Sequence, residues 1–177
     1  MTTASRADGG AAQPQADPAG TRVEYLTFLT HGRRFAAPIT DVREIRNWST
    51  PTTLPHAPSF LLGVVNLRGT VLPVLDLALR LGIGPTPDGS RNVFVVVEID
   101  DRPIGLLVEA VADIVVPGPD DHQPLPEGGV AEAGGLIEGL ILSDEGMVQI
   151  LQLSALAVLR TDGPESETFR AAVEGAG

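Results

Sequence analysis

The chain has no cysteine, which excludes disulfides and thiolate metal sites outright. Aromatic residues make up only 4% of it, so a core must be assembled from the Val, Leu, Ile and Ala that dominate its 43% hydrophobic content. Cations are scarce as well: 12 Lys and Arg stand against 23 Asp and Glu, a net charge of −11. Neutralising phosphates requires clustered cations, so nucleic acid is excluded as a partner. The acidic balance otherwise favours solubility and basic partners. No apolar run approaches the ~20 residues that cross a bilayer. The opening MTTASRADGGAAQPQADPAG lacks the apolar stretch of a signal peptide. A cytoplasmic protein that is not membrane-inserted is expected.

Catalytic constellations are missing too. His31, His56 and His122 are scattered, with no HxxxH, HxH or HExxH spacing to support a metal. Ser59, Ser143 and Ser154 lack the G-x-S-x-G turn of a nucleophile, and Ser154 reads instead as a helix N-cap. Gly128-Gly129 and Gly134-Gly135 lack the Lys-Ser/Thr of a phosphate loop. Asp100-Asp101 and Asp120-Asp121 lack the alternating spacing of a calcium loop. No cofactor and no enzymatic activity are expected.

What is present is a succession of short apolar runs broken by turns. A length of 177 residues allows one sizeable domain or two small subdomains. Residues 1–21 hold no large apolar side chain beyond Met1 and cannot offset their ordering entropy, so they read as a disordered tail. Residues 162–177 read as a flexible C-terminal tail in which Phe169–Val173 can form a frayed helical turn. The folded part is expected over 22–161.

Its centre is GVVNLRGTVLPVLD, Gly63 to Asp76, a β-hairpin that turns at Arg68-Gly69 and ends on Asp76 as a helix N-cap. Before it, Val23–Thr30 and Arg34–Ile39 form strands about His31-Gly32-Arg33. Asp41-Val42-Arg43-Glu44 resembles a capping box, which predicts a short helix to about Arg46 with Val42 and Ile45 facing the core. Trp48–Leu54 reads as a weak strand interrupted by Pro51. After the hairpin, Ile83–Arg91 carries two prolines and two glycines and reads as the hinge between halves. Val93–Ile99 and Ile104–Val111 make a second hairpin, and Ala112–Val116 a further strand. Pro117–Gly135 is a polar loop with acidic residues at 120, 121, 127 and 132. Leu136–Leu142 and Met147–Leu153 form a last hairpin before a helix, Ala155–Arg160. Nine or ten short strands, a turn every 8–12 residues and no long crossover helices predict an all-β protein of two small barrels, about five strands each.

One residue stands out. Arg68 occupies a hairpin apex where Asn, Asp or Gly is the usual choice. A nearby carboxylate could hold it in a planar pair, and Glu44 is a candidate. The alternative is a solvated turn residue beside an unrelated helix cap, and residue types alone do not choose between them.

The order of these residues resembles a known family. Phe28, Gly32 and Phe35 are followed by V-x-E-I-R (Val42, Glu44, Ile45, Arg46). Then come Pro55, Ala57-Pro58, Phe60, Gly63-Val64, Asn66-Leu67-Arg68-Gly69, Pro73-Val74 and Asp76-Leu77, and finally Gly105 to Val111. The pattern, over about Arg22 to Arg160, is similar to that of CheW. The resemblance implies two intertwined SH3-like five-stranded β-barrels. It also implies a non-enzymatic adaptor coupling the cytoplasmic tip of methyl-accepting chemoreceptors to the regulatory domain of the histidine kinase CheA, at membrane receptor arrays, with other CheW-like domains as further partners. It assigns protein-binding roles to Val42, Glu44, Gly63 and Arg68, with Asn66, Leu67 and Gly69 shaping the hairpin, and places Val93 and Ile114 near positions of similar role. Glu109 departs from the family's aspartate, and Gln152 from its Asp or Asn. A coupling protein of a pathway controlling pilus motility, development or second messengers is the alternative reading. A small-ligand carrier is a third, for which no convergent polar groups are visible.

Overall fold

The computed structural model describes residues 22–126, 134–158 and 163–175. The expected N-terminal tail, Glu127 and Glu132 of the acidic loop, and Arg160 lie outside them. Eleven strands occur among the described residues: β1 (Tyr25–Thr30), β2 (Arg33–Pro38), β3 (Val42–Asn47), β4 (Leu61–Leu67), β5 (Thr70–Asp76), β6 (Val93–Ile99), β7 (Arg102–Val108), β8 (Ala110–Val115), β9 (His122–Gln123), β10 (Ile137–Ser143) and β11 (Gly146–Leu151). Three helices join them, α1 (Leu77–Arg80), α2 (Leu153–Leu156) and α3 (Pro164–Glu174).

The strands form two sheets, ordered β8-β1-β2-β11-β10-β9 and β3-β6-β7-β5-β4. Each combines hairpins with one parallel pairing, β2 with β11 (Ala36↔Ile150) and β5 with β7 (Leu75↔Leu106). The chain therefore leaves the first sheet after β2, builds the whole of the second, and returns. This corrects the expected division at 83–91: that linker joins β5 to β6 inside one sheet, and proline and glycine content marked a loop without saying which sheets it connects. The first sheet also carries a sixth, two-residue strand, β9, inside the segment read as a polar loop.

Three apolar clusters fill the molecule. Tyr25, Ala36, Ile141, Val148 and Ile150 fill the first barrel, and Leu72, Val74, Phe94, Val96 and Leu107 the second. A larger cluster between them joins Leu26, Phe28 and Phe35 of the first sheet to Val95, Val97, Ile104 and Leu106 of the second. Strand β6 thus has Phe94 and Val96 in one cluster and Val95 and Val97 in another, which is why it reads as an unbroken apolar run.

The second barrel closes at Thr52. Its N–H and C=O bond the C=O and N–H of Val64 at 2.8 and 2.9 Å, bringing the segment after β3 onto β4, the opposite edge of the sheet. The expected strand 48–54 reduces to this single bridge. Beside it Gly63 has φ +136, and a Cβ there would overlap the Thr52 carbonyl.

Asp76 caps α1 as expected, accepting from the Leu79 N–H at 3.2 Å. It does more. Its carboxylate, in a residue only 3% exposed, also accepts from the Thr86 N–H (2.9 Å) and hydroxyl (2.7 Å), and so anchors the 83–91 linker. Asp76→Ala would strand these donors and should lower unfolding free energy by about 2–3 kcal/mol in denaturant titration.

Three local expectations are corrected. Val42–Arg46 is strand, not helix. A 3-10 turn over Ile39–Asp41 makes the reversal, and Val42 and Ile45 then pair along valine-rich β6, where tertiary pairing outweighs a weak capping signal. Ile45 consequently faces solvent, 48% exposed. Ser154 is not an N-cap: α2 begins one residue earlier, after Gln152, with no side-chain cap. The C-terminal tail contains α3, with Pro164 in its first turn and Phe169, Ala172 and Val173 in the central cluster. The Phe169 ring meets Phe60 edge-on, centroids 5.3 Å apart, and the Thr168 hydroxyl donates to the Pro55 carbonyl. Arg80 lies over the other side of Phe60 and donates to the carbonyls of Ala155, Leu156 and Val158, ending α2; burial pushes its pKa below the usual arginine range.

Candidate functional site

Hairpin β4–β5 pairs Leu67 with Thr70 across a two-residue loop, Arg68-Gly69. Both loop residues have positive φ, +52 and +83, as a type I′ turn requires. Glycine adopts this at no steric cost; arginine does not. Asn66 steadies the turn, its Oδ1 accepting from the Gly69 N–H at 2.9 Å. Leu67 is half-buried and packs on the cluster inside the second barrel. The apex is therefore anchored below while the Arg68 side chain, 78% exposed, stands in water.

Glu44 meets it from β3. Sheet order puts β3 and β4 at opposite edges, and barrel closure brings them together, so Arg68 Nη2 donates to Glu44 Oε2 at 3.2 Å. The sequence left pairing and non-pairing open, and the structure shows the pair. It also adds a member. Arg46 Nη1 donates to the other oxygen, Oε1, at 3.4 Å. Residues two apart in a strand share a face, whereas in a helix they do not, so reading this segment as helical hid the Arg46 contact. One carboxylate between two guanidiniums leaves this spot net positive on a chain of net charge −11.

The other expected positions distribute as follows. Val42 starts β3 and Val93 starts β6; both pack partly on the central cluster, and Val93 pairs with Asn47 at the far end of β3 from Val42. Gly63 is buried, and the Thr52 carbonyl explains it sterically. Ile114 lies on β8 of the other sheet, paired with Leu26 and 55% exposed, so it is not part of the ion cluster. Glu109, one of the two departures, accepts from the His31 N–H at 2.6 Å and ties the β1–β2 turn to the β7–β8 junction. No group of three or more His, Asp or Glu side chains is placed to hold a metal among the described residues.

Residues 24–160 match the family model described as CheW-like domain. The chain belongs to this family. CheW relatives include the "Probable chemotaxis protein CheW" of Rhizobium etli, 39% identical over 133 residues, which are 75% of this chain and 86% of that protein. Protein FrzA of Myxococcus xanthus is 34% identical over 146 residues, 78% of this chain and 86% of its own length. Among solved structures, the scaffolding protein TtCheW of Thermoanaerobacter tengcongensis superposes with a TM-score of 0.74 at 27% identity, covering 80% of this chain and 97% of that one. The two-barrel architecture is thus the CheW fold, and the chain is a CheW-type scaffold or adaptor. The match ends at residue 160, so α3, Pro164–Glu174, lies outside the CheW-like domain.

Proposed function

We propose that the chain is a non-enzymatic coupling protein that binds a chemoreceptor cytoplasmic tip and the regulatory domain of a CheA-type histidine kinase, in the cytoplasm at receptor arrays. One observation carries the reading: within a CheW-like domain, an exposed arginine sits on a turn that disfavours it and is steered by a carboxylate from the opposite sheet edge. A fold that needed only a tight turn would place Asn-Gly there. Glu44, Arg68 and the supporting Asn66, Leu67 and Gly69 form the binding centre, with Val42 and Val93 alongside. Gly63 acts through the scaffold, and Ile114 belongs to a separate surface on the first barrel.

Co-sedimentation of the full chain with receptor-bearing membranes and kinase tests this. Wild-type protein should enter the pellet with both, and Arg68→Glu should not, at unchanged circular dichroism. Equal recovery of the variant would place the contact elsewhere. The similarity to Protein FrzA as well as to a chemotaxis protein supports a second reading, in which the coupled pathway controls pilus motility, development or a second messenger. The kinase recovered with the wild-type chain from its own cytoplasm decides between the two.

A further inference from the structure

The inference concerns Arg46 and rests on the coupling role proposed above. Glu44 is the most covered of the three charged residues, its side chain 26% exposed against 39% for Arg46 and 78% for Arg68. Docking over Arg68 would remove more water from that carboxylate. A carboxylate left buried and unpaired is strongly unfavourable. Yet Arg68 spends one N–H on Glu44, leaving most of its donors free for an acceptor on the partner. The two needs conflict if Arg68 is the sole cation of Glu44, and the structure removes the conflict by giving each carboxylate oxygen its own arginine.

The two arginines also differ in what holds them. Arg46 is on the same strand as Glu44, and β3 is fixed along β6 by register and by the Arg43–Glu98 ion pair. The Arg46 contact therefore does not depend on where the hairpin tip lies. Arg68 is at that tip. We propose that Arg46 is a positioning residue that holds the Glu44 carboxylate through Oε1, so that Arg68 can turn to a carboxylate of the docking partner without leaving Glu44 unpaired. The surface then suits an acidic side chain on the partner, consistent with the local excess of positive charge.

The test is a double-mutant cycle read by calorimetric titration of the full chain with receptor cytoplasmic fragment and with kinase regulatory domain. Arg46→Gln should weaken binding about tenfold, and Arg46→Lys should restore most of it. In a Glu44→Gln background, Arg46→Gln should cost nothing further, because no carboxylate is left to hold; a merely structural arginine would weaken both backgrounds alike. Affinity unchanged by Arg46→Gln, while Arg68→Glu abolishes binding, overturns the Arg46 role and leaves the coupling role standing. Absence of wild-type binding to either partner overturns both.

Discussion

Gly63→Ala should destabilise the protein by about 4 kcal/mol or more, a large part of the roughly 5–15 kcal/mol that holds a domain folded. Two costs add. The residue has φ +136, a conformation that L side chains rarely adopt, and the new Cβ would overlap the Thr52 carbonyl oxygen. That oxygen accepts the Val64 N–H, so relieving the clash means opening the bridge that closes the second barrel. Equilibrium denaturation should show the loss directly, and any loss of partner binding should scale with the unfolded fraction. A stable Gly63→Ala protein that fails to bind would instead make Gly63 a contact residue.

Arg68→Glu should behave in the opposite way, with stability nearly unchanged and binding weakened by about 2–5 kcal/mol. Arg68 is so exposed that its pairing with Glu44 contributes little to folding. In a complex the reversed charge would face both Glu44 and the partner's acid. Arg68→Asn separates the two contributions further. Asn tolerates the left-handed conformation better than arginine, so this variant should raise stability by about 0.5–1 kcal/mol while still losing binding. Denaturant midpoint and titration calorimetry on the same sample would show the trade. A variant that gains stability and keeps its affinity would mean that the strained turn serves no partner.

The hairpin carrying this arginine was legible because its signals are local: alternation on both sides, Gly at the apex, and Asp at the exit. The same holds for β6, whose V-F-V-V-V run requires burial on both faces. Val42–Asn47 was misread for a local reason as well. An acid followed by Glu suggests a helix start, and only the presence of β6 as a neighbour makes that segment a strand. Arg46 disappeared from the site with that misreading. Helix α3 was missed because Phe169, Ala172 and Val173 carry too few apolar atoms to mark a helix alone; their seat against Phe60 supplies the rest. The contact between Glu44 and Arg68 depends on closure of a sheet whose edges are β3 and β4. Residue types raised that pairing as one of two readings, and topology decided it.

The order of strand pairing has a consequence for how the chain is made. During synthesis β3 to β7 emerge as one uninterrupted block, so the second barrel can close as soon as Val108 has left the ribosome. Strands β1 and β2 emerge first but pair outwards with β8 and β11, which come long afterwards. Until then their hairpin holds Phe28 and Phe35 with no finished interior to enter. Such long-range pairing slows folding, and an early hairpin with open edges invites pairing with other chains. The nascent protein is thus a folded barrel trailing an unsatisfied N-terminal hairpin, and the last strand to be translated, β11, is the one that shelters the second.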